Sequence, residues 1–367
     1  MSDERVMRLA HLLVDYSVDV QTGDRVVVIS EPAAAPLVLA VYERILERGG
    51  HPDVSLTLPG MQEAYFRTAS AGQLAFVSPV QKLYFEEYEA LISIRAATNT
   101  RELSGIDPAR QAERQKAMAP IRQTYMARGA TGELKWNGTL FPTDASAQDA
   151  DMSLRDFEDF VYGACFCDRK DPVAAWEKVH RDQARIIAWL DGRKHVRVLG
   201  PNADLELSVE GRTFINSDGH HNMPSGEVFT GPVEDSANGW VRFTYPAITQ
   251  GREVEGIELS FEEGQVVEAT AKKNEAFLHQ MLDTDAGARH LGEFAIGTNF
   301  GIRRFTKSIL FDEKIGGTFH MAVGAGYPDT GSKNRSAIHW DMICDMHDGG
   351  EIWVDGDLLY KNGAFVI

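Results

Sequence analysis

In the first half of the chain, short unbroken apolar runs alternate with stretches in which apolar residues recur at helical spacing. Val6, Leu9, Leu12, Leu13 and Tyr16 predict a helix within residues 1–22. Gly23-Asp24 turns the chain into Arg25-Val26-Val27-Val28-Ile29, a run of the kind buried on both faces of a parallel sheet. A second helix opens at Pro36, with Leu37, Leu39, Ala40, Val41, Ile45 and Leu46 as its apolar positions, and closes at Gly49-Gly50. Val54 to Leu58 is the next strand, so the order strand, helix, strand implies parallel pairing. Ala90 to Ile94 adds a strand, residues 107–128 a charged and solvated helix, and Leu134-Lys135-Trp136 a strand leading to Pro142-Thr143. Phe157 to Leu190 reads as mostly helical, restarted at Pro172.

From about residue 193 the period changes to two. Leu205, Leu207 and Val209 alternate with polar residues up to a turn at Glu210-Gly211. Val241 to Tyr245, Val254 to Leu259 and Val266-Val267 are short strands punctuated by Gln250-Gly251 and Glu263-Gly264. Ile352-Trp353-Val354 turns at Asp355-Gly356, and Leu358-Leu359-Tyr360 turns at Asn362-Gly363, both strong hairpin signals. One helical interruption runs from Asn274 to Leu282 and continues at Ala286 to His290. The expected architecture is therefore an α/β domain over 1–192, a parallel sheet with helices, followed by a largely antiparallel β domain over 193–367. The second domain is expected to form a curved sheet or partial barrel.

Length agrees with two domains, since 367 residues exceed the roughly 250–300 at which single cores stop growing. The net charge of −17 comes without any Lys/Arg cluster, which argues against a nucleic-acid partner and leaves room for a cationic substrate. No apolar run approaches the roughly 20 residues of a membrane span, and the polar, acidic start Met1-Ser2-Asp3-Glu4-Arg5 is unlike a secretory signal. A cytoplasmic location is expected. Glu31-Pro32-Ala33-Ala34-Ala35 follows the first strand where a dinucleotide fingerprint would need glycines. Cys165, Cys167 and Cys344 cannot make a disulfide framework, and C-x-C is too short for the usual metal spacing. Cys344, beside the final His-x-Asp, is at most a weak soft ligand.

The candidate chemistry lies in the last third. In Ile338-His339-Trp340-Asp341-Met342 a strand puts imidazole and carboxylate on one face and apolar bulk on the other. His320 sits on a similar strand, and Tyr327 follows it after a Gly-rich turn. A lone H-x-D is commonplace. Upstream, however, Gly226-Glu227-Val228-Phe229 and Gly292-Glu293-Phe294 each set one carboxylate into an apolar strand, where a charge is normally paired or coordinating. Together these residues supply three carboxylates, two imidazoles and a phenol, donors suited to zinc, manganese, cobalt or iron. The inventory fits a pair of divalent ions about 3.5–4 Å apart. His220 and His221, just before Glu227, are candidate supporting donors.

These segments resemble the aminopeptidase T and aminopeptidase S family of metallo-aminopeptidases. The likeness is carried by Asn222-Met223-Pro224-x-Gly226-Glu227-Val228-Phe229-Thr230, Leu291-Gly292-Glu293, and Leu310-Phe311-Asp312-Glu313-Lys314 leading to His320. Tyr327 and Asn334-x-Ser336-x-Ile338-His339-x-Asp341 complete it. The resemblance implies that Glu227, Glu293, His320, His339 and Asp341 bind two divalent ions (Zn, Co, Mn or Mg), with Tyr327 at the centre as ligand or transition-state donor. It implies hydrolysis of N-terminal residues from peptides with a free amino terminus by metal-activated water. Glu227 and Glu293 are the alternatives for the general base. It further implies a homodimer whose N-terminal domain helps to enclose the site. The chain is shorter than expected for aminopeptidase T, which bears on the size of peptide admitted.

Two other readings remain. The fold also resembles that of ring-cleaving dihydroxypyridine dioxygenases, in which His320, His339 and Asp341 would hold a single iron. Glu227 and Glu293 then exceed what a mononuclear site needs. A catalytically silent binding protein is the third reading, and no expected ligand is missing to favour it.

Overall fold

The structure is a computed structural model that describes residues 3–249 and 251–367. The chain divides into two compact units. One comprises Met1–Ala175 with Gly219–Pro224, the other Trp176–Asp218 with Ser225–Ile367.

The first unit is built on a five-stranded parallel sheet ordered His51–Leu56, Arg25–Ser30, Ala90–Arg95, Lys135–Leu140 and Asn222–Met223. Val26, Val27 and Val28 are all fully buried, as an unbroken apolar run in a two-sided sheet requires. The helix Ala35–Glu47 buries Leu37, Val38, Ala40, Val41 and Ile45. Leu39 and Leu46, expected on that face, are exposed instead. The next strand begins three residues earlier than Val54, at His51, and so includes Pro52. It is an edge strand, where a missing N–H is tolerated. The first helix is regular only over Glu4–His11. Leu12–Ser17 is π-helical, which takes the consecutive Leu12, Leu13 and Val14 all into the interior. Helices at Met61–Thr68, Ala71–Ala75 and Pro79–Glu87 bury almost nothing and gave no apolar period to read.

The second unit is antiparallel. Eight strands, from Gln265–Thr270 to Ala364–Phe365, form one sheet. Five form another, ordered His339–Asp345, Thr318–Gly324, Leu291–Gly297, Glu227–Thr230 and Ile215–Ser217. Ala247–Thr249 and Arg252–Val254 make a separate ribbon, and Gln250 of their turn lies outside the described residues. The stretch expected as one strand from Val254 to Leu259 is divided at Gly256, whose φ of +64° ends the extended backbone. The helix Glu275–Leu282 does not resume at Ala286, where Asp285 accepts the Gly287 amide in a turn. Val196, Val198, Leu205, Leu207 and Ile352 of the larger sheet share one core with Val228, Phe294, Ile296, Phe319, Met321, Val323, Trp340 and Met342 of the smaller. Cys165, Cys167 and Cys344 are buried free thiols whose pKa burial pushes up. Among the described residues no helix is long and apolar enough to cross a membrane.

Phe294 lies in the core against Phe319, ring centroids 6.1 Å apart. Phe294→Ala is expected to cost about 3–5 kcal/mol, read as a lowered urea midpoint with an unchanged m-value.

Candidate metal centre

Side-chain alternation gives the smaller sheet two unlike faces. Val228, Phe294, Ile296, Met321, Val323, Trp340, Met342 and Cys344 point into the core. Glu227, Glu293, His320, His339 and Asp341 alternate with them and share the other face. Cys344 is thereby turned from the cluster, and its Sγ lies 3.6 Å from the Arg242 carbonyl, which removes it as a ligand. A bulge between Leu291 and Glu293 lets both obey the pattern, Leu291 in the core and Glu293 outward.

Each of the five polar residues has a small cross-strand neighbour on at least one side, although His320 also faces Ile343 and Glu227 also faces Ser217. Glu227 stands opposite Gly297, His320 opposite Ala295, His339 opposite Gly324, and both Glu293 and Asp341 opposite Ala322. Directly opposed side chains have Cβ atoms about 4.5–5.5 Å apart, so any larger residue would fill the space the carboxylates and imidazoles enclose. Gly226, immediately before Glu227, has φ +116°, and a Cβ there would lie 2.7 Å from that of Asn299. The entry to this strand therefore requires glycine.

His320 Nε2 is 3.4 Å from Glu227 Oε2 and 3.3 Å from Glu293 Oε1. His339 Nε2 is 3.4 Å from Glu293 Oε2 and 3.5 Å from Asp341 Oδ1. Two further residues join them that had been noted only within a matching segment. Glu313 follows the short helix Ile309–Asp312 and forms a donor group with His320 and Asp341. Lys314 is 0% exposed, and its ammonium contacts the Glu313 carboxylate and lies 3.7 Å from Glu227 Oε1. The sequence signal was an adjacent Glu-Lys pair, which ordinarily reads as solvated surface.

His220 and His221 belong to the first unit, where their rings pack on Tyr16 and Trp136 at 4.6 and 4.5 Å. Tyr327 lies beside the cluster. Its ring meets those of His339 at 5.1 Å and Phe229 at 5.5 Å and remains 43% exposed. The loop that carries Tyr327 and leads into His339 is tethered at several points. Glu234 takes the Lys333 amide at 2.6 Å and pairs with Arg212 at 2.6 Å. Asn334 Nδ2 donates to the Gly324 and Gly287 carbonyls at 2.6 and 2.9 Å, and Asp285 accepts the Ala337 amide.

The electrostatics are those of an excess of buried carboxylate. Burial works against a charge on His320, but Glu293 and Glu227 outweigh it and hold its pKa up at about 9. His339 is held well above the usual imidazole value, with burial again overcome, here chiefly by Asp341. Burial raises Asp341, and His339 more than reverses this, to about 2. Glu313 is driven up by burial to about 7, only partly offset by Lys314. Burial would discharge Lys314, yet Glu227 and Glu313 carry it to about 12, so it is a permanent cation. Burial, then the Glu293 and Asp341 charges, push the Tyr327 phenol well above the usual tyrosine range, which leaves it a donor.

The donors fit a divalent cation. Glu227 Oε2 is buried without a hydrogen-bond partner. His339 Nδ1 faces the Ala325 carbonyl at 2.7 Å, which can only accept, so Nδ1 keeps a proton and Nε2, which faces the carboxylates, is the nitrogen whose proton a cation would displace. Among the described residues three groups have donor atoms within 4.8 Å of one another: Glu227, Glu293 and His320; Glu293, His339 and Asp341; Glu313, His320 and Asp341. All are oxygen and imidazole nitrogen.

A family profile described as thermophilic metalloprotease (M29) matches residues 2–365. The chain belongs to this family. Relatives of the chain include aminopeptidase 2 of Geobacillus stearothermophilus, 31% identical over an alignment of 388 positions that spans 94% of this chain and 93% of the relative. Aminopeptidase T of Thermus thermophilus is 28% identical, spanning 97% and 95%. Among solved structures, wild-type AmpT from Thermus thermophilus aligns with a TM-score of 0.84 at 23% identity over 99% of both chains. A 2,5-dihydroxypyridine dioxygenase from Pseudomonas putida aligns with a TM-score of 0.56 at 13% identity, over 99% of this chain and 96% of the other. At those identities both structures speak to the fold. As an M29 member the chain is a metal-dependent peptidase.

Ala322→Val places two methyl groups between Glu293 and Asp341. We expect overpacking to weaken metal binding by about 10–100-fold with circular dichroism unchanged, measured by titration calorimetry of the stripped protein.

Proposed function

We propose that this M29 protein removes single residues from the free amino terminus of peptides, with two divalent ions held by Glu227, Glu293, His320, His339 and Asp341. Glu313 completes the set. The observation that carries the reading is the placing of Glu293: Oε1 faces His320 and Oε2 faces His339. One carboxylate thus serves two donor groups, which suits a pair of ions better than one.

Charge supports the same count. Among the described residues Glu227, Glu293, Glu313 and Asp341 face Lys314 as a permanent cation, so with the carboxylates ionised and the imidazoles neutral, as ligation requires, the cluster carries three uncompensated negative charges. Isolated buried charges cost several kcal/mol each. One divalent ion leaves the cluster anionic, and two bring it close to neutral. The bound ions supply Lewis acidity, polarising a carbonyl and lowering the pKa of water from about 16 towards about 7.

The chain's own residues do the rest. A carboxylate of the cluster receives the substrate ammonium, which confines cleavage to the first residue. Glu227, Glu293 and Glu313 each have an oxygen facing the centre and are the groups able to take a proton from the attacking water and return it to the leaving amine. Tyr327, protonated, donates to the oxyanion as it develops. Ala325, through the hydrogen bond from His339 Nδ1, fixes that imidazole's tautomer and orientation. By the same family likeness the working form is a cytoplasmic homodimer, loaded with zinc, cobalt, manganese or magnesium. The dioxygenase likeness is one of fold, and the surplus of glutamate argues for the peptidase.

Metal analysis of the purified protein is expected to give two ions per chain, with no oxygen uptake and full loss of aminoacyl-amide hydrolysis on chelation. One iron per chain with oxygen consumption would overturn the reading. His339→Ala is expected to retain about one ion and to lose at least roughly a thousandfold in kcat. Tyr327→Phe should keep both ions and lose about 10²–10³ in kcat, the effect of deleting one oxyanion donor.

A further inference from the structure

The face that carries the cluster is polar or small at most positions, and Phe229 and its cross-strand neighbour Ile215 are partly open apolar exceptions. Phe229 lies two residues beyond Glu227 on the same strand and therefore on the same face. It pairs across the sheet with Ala295 on one side and Ile215 on the other. Unlike Val228 and Phe294 it is not part of the core between the sheets. It is half-buried, and its ring meets that of Tyr327 edge to face at 5.5 Å. Tyr327 in turn meets His339 at 5.1 Å. Two partly exposed aromatic rings thus stand in line beside a set of buried charges. An apolar ring is left half open to water at a cost, because its area is not removed from solvent.

A peptide held as proposed has little freedom at its first residue. A carboxylate would fix the ammonium and the ions, when bound, would polarise the scissile carbonyl, so the carbon between the two would be fixed as well. Its side chain must leave in a direction set by those two anchors. The cross-strand neighbours of the five polar residues are Gly297, Ala295, Ala322, Gly324, Ser217 and Ile343, of which Ile343 alone is a large apolar residue. Ile343, on the same face, is only 2% exposed. Among the described residues, Phe229 and Tyr327 form a partly exposed apolar surface that reaches His339 by ring contact, while Ile215 lies one strand further out.

We propose that Phe229 and the Tyr327 ring form the wall that receives the side chain of the substrate's N-terminal residue, and that Phe229 sets a preference for bulky apolar residues there. This inference rests on the aminopeptidase reading and deepens it by naming the substrate class. Discrimination in an apolar pocket amounts to about 10–200-fold per methylene-scale difference, so one wall is enough to set a preference.

The test compares kcat/KM of the metal-loaded enzyme on leucyl, phenylalanyl, alanyl and glycyl amides. Wild type is expected to favour leucyl and phenylalanyl over glycyl by at least about tenfold. In Phe229→Ala that ratio should fall at least about tenfold, with two ions still bound. Phe229→Leu, which keeps an apolar wall and guards against a folding defect in the alanine variant, should retain the ratio within about threefold. Tyr327→Phe keeps the ring and should lower all four substrates together, leaving the ratio unmoved. A fall shared equally by all four amides in Phe229→Ala would make Phe229 a strut for Tyr327 and overturn the wall. An unchanged ratio in a fully loaded Phe229→Ala variant overturns it too. Wild type active on glycyl amide in preference to leucyl sinks the preference alone, whereas wild type inactive on every amide sinks the aminopeptidase reading and this inference with it.

Discussion

The structure of the second unit is governed by the need to keep four carboxylates together out of water. Glu227, Glu293, Glu313 and Asp341 are buried or nearly so, and in a low-dielectric setting like charges at this spacing repel strongly. Only cations close by make the arrangement tolerable. Lys314 supplies one from inside the protein, and the imidazoles supply more when protonated. The cluster holds three donor groups that share Glu293, His320 and Asp341. A fold that tolerates this much repulsion does so because one face of a rigid sheet fixes the donors while the other face is locked in a large apolar core.

That division of labour explains the composition of the strands. Each one alternates, apart from the bulge at Leu291–Glu293, with Val228, Phe294, Phe319, Met321, Trp340 and Met342 anchoring the backbone and the polar positions free to serve the centre. The opposed glycines and alanines belong to the same design, since space between strands is set by whatever lies across the ladder. Tyr327 is placed differently. It sits on a loop rather than a strand, and its position depends on side-chain tethers from Arg212, Glu234, Asp285 and Asn334 to backbone groups, Arg212 donating to the Gly331 carbonyl. Loops held by several hydrogen bonds place side chains firmly but with more give than a sheet.

Much of this was legible in the sequence because it follows from local periodicity. The run Val26-Val27-Val28 announced a strand buried on both sides, and His339-x-Asp341 announced two donors on one face. The isolated carboxylates Glu227 and Glu293 stood out because a charge in an apolar strand needs a partner. What could not be read were non-local facts. Nothing in the sequence says that the strands of the second unit divide between two sheets, or that Glu313-Lys314 turns inward at the end of a four-residue helix. The helices between Met61 and Glu87 were missed because they bury almost nothing, although Ser70 and Gln73 form a capping box that was open to inspection. The π-helical turn at Leu12–Ser17 looks like ordinary helix in sequence and differs only in which consecutive residues it hides.

The internal ammonium of Lys314 has a consequence for the protein stripped of its ions. With Lys314 charged and the imidazole pKa values held up by the surrounding carboxylates, part of the negative charge of the emptied cluster is offset from within. Stripping should therefore leave a folded apoprotein that can be reconstituted with a different ion. Reloading must expel the protons the imidazoles took up, so acid competes with the incoming cation and uptake weakens as pH falls. The same residues thus act as placeholders during exchange, keeping the scaffold intact between one occupant and the next.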